Sequence, residues 1–317
     1  MRIVFFGTPE AAVTSLDRLL RAGFAVPLVI TQPSRPAGRG LKPTDSAVKR
    51  YSLERGIPVL EPDKIRREAT VVGNITAASP DIGVVVAYGQ IMPASVIYLP
   101  PLKTLNVHFS LLPRYRGAAP VQWAVLNGES ETGVSIIELN EKMDEGDVLA
   151  QVRTDIGPEE DAVELENRLA VMGAELLVEC LTKIDKLERR PQDHSLATYA
   201  PRLKKEGALI KWTSSAADVG RRVRAFAGQP GAFTFFRGLR LIVWKGRVLG
   251  TAAPAGTPPG TIVGVAREGV SVACGDGRTY LITSVQAEGR RRLEAWTFSQ
   301  GARIRSGEVL ADYSSRT

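Results

Sequence analysis

Cysteine is nearly absent. Cys180 and Cys274 are the two thiols in 317 residues, and they form neither a CxxC nor a ligand cluster. That excludes a disulfide framework and a structural zinc site and suits two reduced thiols in a cytosolic protein. No apolar run reaches the ~18 residues that a membrane-spanning helix needs. The opening MRIVFFGTPE is interrupted too early for a signal peptide and reads as a strand entering a turn. Nucleotide-binding glycine motifs are also missing. Gly7-Thr8-Pro9-Glu10 is not GxGxxG, and no GxxxxGK[ST] occurs, which counts against a dehydrogenase or an NTPase. Histidine is as scarce as cysteine, so His108 and His194 can each be weighed.

What is present is ordinary in amount and uneven in distribution. Apolar residues make up 44 % and charged residues 24 %, as in soluble globular proteins, and the length favours two domains. The net charge of +7 is by itself a weak pointer to a polyanion. Divided after Ala200, residues 1–200 hold 22 basic and 26 acidic side chains, net −4, whereas residues 201–317 hold 19 and 8, net +11. Such asymmetry suggests that one half does chemistry while the other meets a polyanion; a scattered basic surface is the bland alternative. The first half has one basic exception, RPAGRGLKPTDSAVKR at 35–50, with five basic residues, one acid, two glycines and two prolines. It is expected to be a flexible connection, and a mobile arm for phosphates if it has a function.

Apolar patterning predicts strands at 2–6, 25–31, 58–60, 81–88 and 105–108, with helices over 10–22, 46–55 and 64–78. This alternation predicts a parallel α/β sheet, whose strand ends host ligands where the strand order switches. Gly7, Thr31, Tyr88-Gly89 and Asn106–His108 mark such ends. A strand-like run at 133–139 and a long helical pattern over 160–187 follow. After Pro201 the texture changes to short strands at 210–212, 233–236, 239–244, 260–265, 270–273 and 280–285, with one helix at 216–227 and glycine turns between. That predicts a small barrel or sandwich, and a barrel of oligonucleotide-binding type would suit the charge.

Chemistry concentrates around His108. His194 lies in the polar stretch PQDHS and reads as a surface residue. Asn106 and His108 stand two apart on a predicted strand, so they face one side. An amide and an imidazole there can donate to an oxygen that turns negative in acyl transfer, and the imidazole can move a proton; a purely structural pair is the alternative. The acidic loop ELNEKMDEGDVL at 138–149 brings Asp144, Glu145 and Asp147 around Gly146. A carboxylate held there would orient His108. The rival reading is a metal site, but the spacing does not match a calcium loop. Between them, Arg114 and Arg116 flank Tyr115, a pairing suited to an anionic tail or phosphate.

These motifs resemble the methionyl-tRNA formyltransferases over essentially the whole chain. FFGTPEAA at 5–12, TQPSRPAGRG at 31–40, VVVAYGQIMP at 84–93, LNVHFSLLPRYRGAAPVQWA at 105–124 and ETGVSIIELNEKMDEGDVL at 131–149 carry the resemblance. Asn106, His108, Asp144 and the SLLP turn belong to folate-dependent formyltransferases in general. The TQPSRPAGRG loop, RYRGAAP and the basic second half point to the tRNA-dependent member. The resemblance implies a Rossmann-like formyltransferase domain over 1–203 followed by a smaller β-barrel domain of oligonucleotide-binding type over 207–314. It implies formyl transfer from 10-formyltetrahydrofolate to the amine of methionyl initiator tRNA, and a cytoplasmic monomer that needs neither a metal nor a membrane partner is expected. Asn106, His108 and Asp144 would be catalytic, Ser110, Leu111, Leu112 and Pro113 would line the folate site, and Arg39 and Lys42 would approach the tRNA. A formyltransferase acting on a small amine and a non-catalytic RNA-binding module are the rivals. The first shares the triad but has no use for the basic half, and the second leaves the triad idle.

Overall fold

The computed structural model describes residues 1–37, 42–67, 69–228 and 230–313. The chain divides into two compact units. The first gathers 1–120, 131–155 and 166–201, and the second 121–130, 156–165 and 202–317.

In the first unit β1 (Arg2–Gly7), α1 (Glu10–Arg21), β2 (Ala25–Ile30), the short pair β3 (Arg35–Ala37) and β4 (Lys42–Thr44), α2 (Ala47–Leu53) and β5 (Val59–Leu60) come first. Then follow α3 (Ala69–Ala78), β6 (Ile82–Val86), α4 (Ala94–Ile97), β7 (Thr104–His108), β8 (Glu131–Glu138), β9 (Val148–Asp155) and, from residue 166 onward, α6 (Ala162–Thr182), while α5 (Pro120–Asn127), between β7 and β8 in the chain, falls almost wholly in the second unit. The sheet order is β5-β2-β1-β6-β7-β8-β9. Continuous apolar runs suit strands buried on both faces, and β6 and β7 are buried at every position. α1 presents Ala11, Ala12, Leu16 and Leu19 as its buried face. α6 passes so close to the sheet that a Cβ on Gly173 would lie 2.9 Å from Val107 and 3.2 Å from Val134. The strand carrying Asn106 and His108 is thus clamped from that side.

The predicted parallel sheet is corrected to a mixed one. β5, β2, β1, β6 and β7 run parallel, but β8 is antiparallel to β7 and β9 antiparallel to β8. Antiparallel neighbours need no helical crossover, so the acidic loop 139–147 can return directly from β8 to β9 and stay beside the end of β7.

The second unit holds α7 (Ala216–Ala225), β10 (Ala232–Phe236), β11 (Leu239–Ala252), β12 (Ile262–Ala266), β13 (Gly269–Ala273), β14 (Arg278–Ala287), β15 (Leu293–Glu294), α8 (Ala295–Ala302) and β16 (Leu310–Ala311). Its order is β12-β13-β14-β11-β10-β16, with β15 on β14. All pairings are antiparallel, giving a curled half-barrel of the oligonucleotide-binding kind. Residues 210–212 are not a strand; Leu209 makes one isolated parallel bridge to Phe233, and β16 takes the rest of that edge of β10, at Phe235 and Phe236. β11 extends eight residues past the predicted 239–244. Its register slips around Lys245 and Gly246, and that irregularity broke the apolar alternation from which strands are predicted.

Candidate active site

β7 delivers Asn106 and His108 to the same place. Both are buried, and both approach one oxygen of Asp144. Asn106 Nδ2 lies 3.5 Å from Asp144 Oδ1, and His108 Nδ1 lies 3.7 Å from the same atom. The other carboxylate oxygen, Oδ2, accepts from the backbone N–H of Gly117 at 2.8 Å. On its far side His108 Nε2 is 2.9 Å from the carbonyl oxygen of Tyr115. A carbonyl can only accept, so Nε2 carries the hydrogen. In the neutral ring the lone pair therefore sits on Nδ1, facing Asp144. Asp144 and Tyr115 both adopt left-handed backbone, φ +54° and +61°, uncommon for residues other than glycine. Those two turns aim the carboxylate and the carbonyl at the imidazole.

The acidic loop is pressed against β8. A Cβ on Gly146 would stand 2.9 Å from the carbonyl carbon of Glu138 and nearer still to its oxygen. Glu138 N–H donates to Asp147 at 2.9 Å. The Glu138 side chain, buried, is bonded by Lys103 and by Arg189 at 2.8 Å. Burial pushes its carboxyl up, but these two cations outweigh that and hold it below its usual value.

The SLLP turn is tied down by its own polar groups. Ser110 Oγ donates to the Arg114 carbonyl at 2.6 Å. Ser135 Oγ donates to the Ser110 carbonyl at 2.6 Å and accepts from Leu112 N–H at 3.0 Å. Gln151 Nε2 donates to the Leu112 carbonyl at 2.9 Å. Leu112 packs on Ile137 and Val148, while Leu111 and Pro113 are half-buried.

Arg39 lies outside the described residues, and Lys42 opens β4. The root of that loop is braced by Ser34 on Asp45 at 2.5 Å and by Lys49 on Asp45 and Glu61, each at 2.8 Å. His194 is largely exposed, as expected of a surface residue, but its Nδ1 lies 3.1 Å from the guanidinium of Arg116. Gln192, Thr198, Ser135 and Gln151 also brace this site, and no sequence pattern singles them out. Gln192 and Thr198 sit in a polar stretch with no periodicity, and nothing in their residue type marks them. Among the described residues no group of three or more His, Cys, Asp or Glu stands together as a metal site, and no helix is long and apolar enough to cross a membrane.

Comparison with known proteins decides between the open readings. Residues 1–181 match the formyl transferase profile, and residues 202–303 the formyl transferase C-terminal domain. The methionyl-tRNA formyltransferase of Geobacter sulfurreducens is 44 % identical, covering 99 % of this chain and 98 % of that protein. The one from Acetivibrio thermocellus is 43 % identical, over 98 % and 99 %. The chain belongs to the methionyl-tRNA formyltransferase family. Solved structures agree on the fold. HypX from Aquifex aeolicus, in complex with tetrahydrofolic acid, superposes with a TM-score of 0.64 at 20 % identity, over 94 % of this chain and 47 % of that one. An N-formyltransferase from Helicobacter canadensis, in complex with folinic acid and dTDP-3-aminofucose, gives 0.63 at 17 % identity, over 90 % and 98 %. As a member of the family, the chain is a formyltransferase.

Proposed function

We propose that this enzyme moves the formyl group of 10-formyltetrahydrofolate to the free amino group of methionyl initiator tRNA, in the cytoplasm and as a monomer, with the chemistry at Asn106, His108 and Asp144. One observation carries the assignment of the site: an amide, an imidazole and a carboxylate converge at a strand end, with Asp144 Oδ1 3.5 and 3.7 Å from the other two. That donor set fits a formyl carbonyl, which needs N–H donors for its oxygen, and an attacking amine, which needs an acceptor for its proton.

Asn106 donates to the formyl oxygen as the amine nitrogen bonds to the formyl carbon and negative charge develops. His108 takes the amine proton at Nδ1, the nitrogen left basic by the Tyr115 carbonyl. Asp144 then faces an imidazolium and balances it. His108 returns the proton to the departing nitrogen of the donor as its bond to the formyl carbon breaks, and no net proton is consumed. Water exclusion at this buried strand end strengthens each of these contacts.

The SLLP turn, Ser110 to Pro113, would meet the folate through its backbone and the half-buried Leu111 and Pro113. Arg39 and Lys42 would reach the acceptor arm. We assign formyl transfer to 1–203 and tRNA holding to 207–314. In the second unit Arg240 lies over the Phe233 ring at 4.0 Å and Arg292 over Trp244 at 5.6 Å, pairings that suit stacking and phosphate contact. The test supplies 10-formyltetrahydrofolate with methionyl initiator tRNA and, in parallel, an amino-sugar nucleotide. Formyl on the tRNA amine is expected; formyl on the sugar alone overturns the substrate assignment. Affinity for the tRNA should fall steeply with salt.

A further inference from the structure

The triad leaves unexplained a fully buried arginine and a glutamine whose hydrogen-bonding capacity is entirely spent. Arg116 is 2 % exposed and Gln192 is 8 % exposed. Gln192 Oε1 accepts from Arg116 Nε at 3.1 Å and Nη2 at 2.7 Å. Gln192 Nε2 donates to the carbonyl of Asp144 at 2.8 Å and to that of Gly146 at 2.7 Å. A guanidinium only donates and a carbonyl only accepts, so this amide can face one way only. Arg116 also pairs with Glu145 Oε1 at 3.4 Å, the residue between the two stapled carbonyls.

The placement matters because Asp144 is held at φ +54°, a conformation that persists where its surroundings impose it. Gln192 bonds the turn on both sides of Glu145, and so fixes the direction in which the Asp144 carboxylate leaves the backbone. Arg116 sits in sequence between Tyr115, whose carbonyl holds His108, and Gly117, whose N–H holds Asp144. One guanidinium therefore joins the segment that orients the imidazole to the segment that orients the carboxylate, through Gln192. The strand of chain around it is anchored too: Val148 and Arg190 exchange backbone bonds at 2.8 and 3.0 Å, and Thr198 Oγ1 accepts from Tyr115 N–H at 2.8 Å.

We infer that Gln192, locked by Arg116, is a positioning residue that sets the Asp144 carboxylate against His108 and Asn106. This rests on the catalytic reading of Asp144. Neither side chain touches the reacting atoms; both act through the turn at 144–146. The discriminating variant is Gln192→Glu, nearly isosteric. It keeps oxygen acceptors for Arg116, now as an ion pair, and loses both N–H donors to the turn. Gln192→Ala, which removes the acceptor for Arg116 together with both donors to the turn, is the companion.

The experiment measures kcat and KM for both substrates, with circular dichroism to establish folding, for Gln192→Glu, Asp144→Asn and the double variant. Positioning at the sub-ångström to ångström scale predicts a 10- to 100-fold lower kcat for Gln192→Glu, with both KM values within about twofold. It also predicts that the double variant is no slower than Asp144→Asn alone, because Gln192 has nothing left to position. Wild-type kcat in folded Gln192→Glu overturns the inference, as does a double variant whose losses multiply, which marks a merely structural contribution. Wild-type turnover in Asp144→Asn instead overturns the catalytic reading of the triad, so the two failures are distinguishable.

Discussion

Gly146→Ala is the most revealing small perturbation of the site, since it adds one methyl group and removes none of the triad. Its Cβ would stand 2.9 Å from the Glu138 carbonyl carbon, against ordinary contacts that begin at 3.4 Å. The loop and β8 must therefore part by about 0.5 Å to relieve the carbon, and by more to clear the oxygen. β8 cannot give way easily, because Glu138 is paired with Leu105 on β7. The loop moves instead, and with it Asp144, two residues upstream. Its oxygen begins 3.5 Å from Asn106 and 3.7 Å from His108, so a displacement of that size breaks the convergence. We expect kcat to fall by up to about 10²-fold, and the melting temperature to drop by roughly 2–10 °C for an overpacking cost of about 1–3 kcal/mol. Gly23→Ala is the control. It has φ +83° with open space around it, so it should cost about 1–2 kcal/mol of stability and leave turnover intact. The assay pairs a formyl-transfer rate with a thermal melt. Wild-type kcat in Gly146→Ala would refute the claim that the pressed loop aims Asp144.

Asn106→Ala should lower kcat by ~10²–10³-fold through loss of an oxyanion donor, while a bond as long as 3.5 Å leaves at most about 1 kcal/mol of stability at stake; a turnover assay beside a melt checks both. Glu138 gives a pH signature. Its carboxyl is held below the usual 4.5, so its stabilisation is complete above that value and is lost as pH falls through the folded value. Glu138→Gln should cost about 1–2 kcal/mol at pH 7, discounted because Lys103 and Arg189 are 48 % and 40 % exposed, and should flatten the acid limb of a plot of melting temperature against pH. The two thiols should be inert in the native protein, since burial pushes Cys180 up to about 11 and Cys274 up to about 12; a thiol reagent at pH 8 should titrate both only after denaturant is added.

The legible parts of this molecule are those with period or with rare residues. β1, β6 and β7 announce themselves as apolar runs, and α1 by its 3- and 4-residue spacing, because burial acts on each residue separately. Asn106 and His108 could be paired from sequence since a strand puts alternate residues on one side, and scarcity drew attention to His108. Asp144 could be singled out as a candidate but not oriented. Its direction depends on a left-handed turn and on Gln192, 48 residues away, and such pairing leaves no local pattern. The antiparallel return of β8 and β9 is illegible for a related reason: strand direction is set by the connection, not by strand composition. The far end of β11 is hidden from sequence because its bulge at Lys245 and Gly246 interrupts alternation while the hydrogen-bonded ladder continues.

Asp144 is the pivot of the proposed chemistry, and a single-turnover rate of formyl transfer tests its role most directly. With enzyme, methionyl initiator tRNA and 10-formyltetrahydrofolate preassembled, Asp144→Asn keeps an oxygen for the Gly117 N–H and removes the charge beside His108. The predicted result is a chemical step slower by about 10²-fold or more, with the Kd for tRNA within about twofold. A chemical step at the wild-type rate would contradict it.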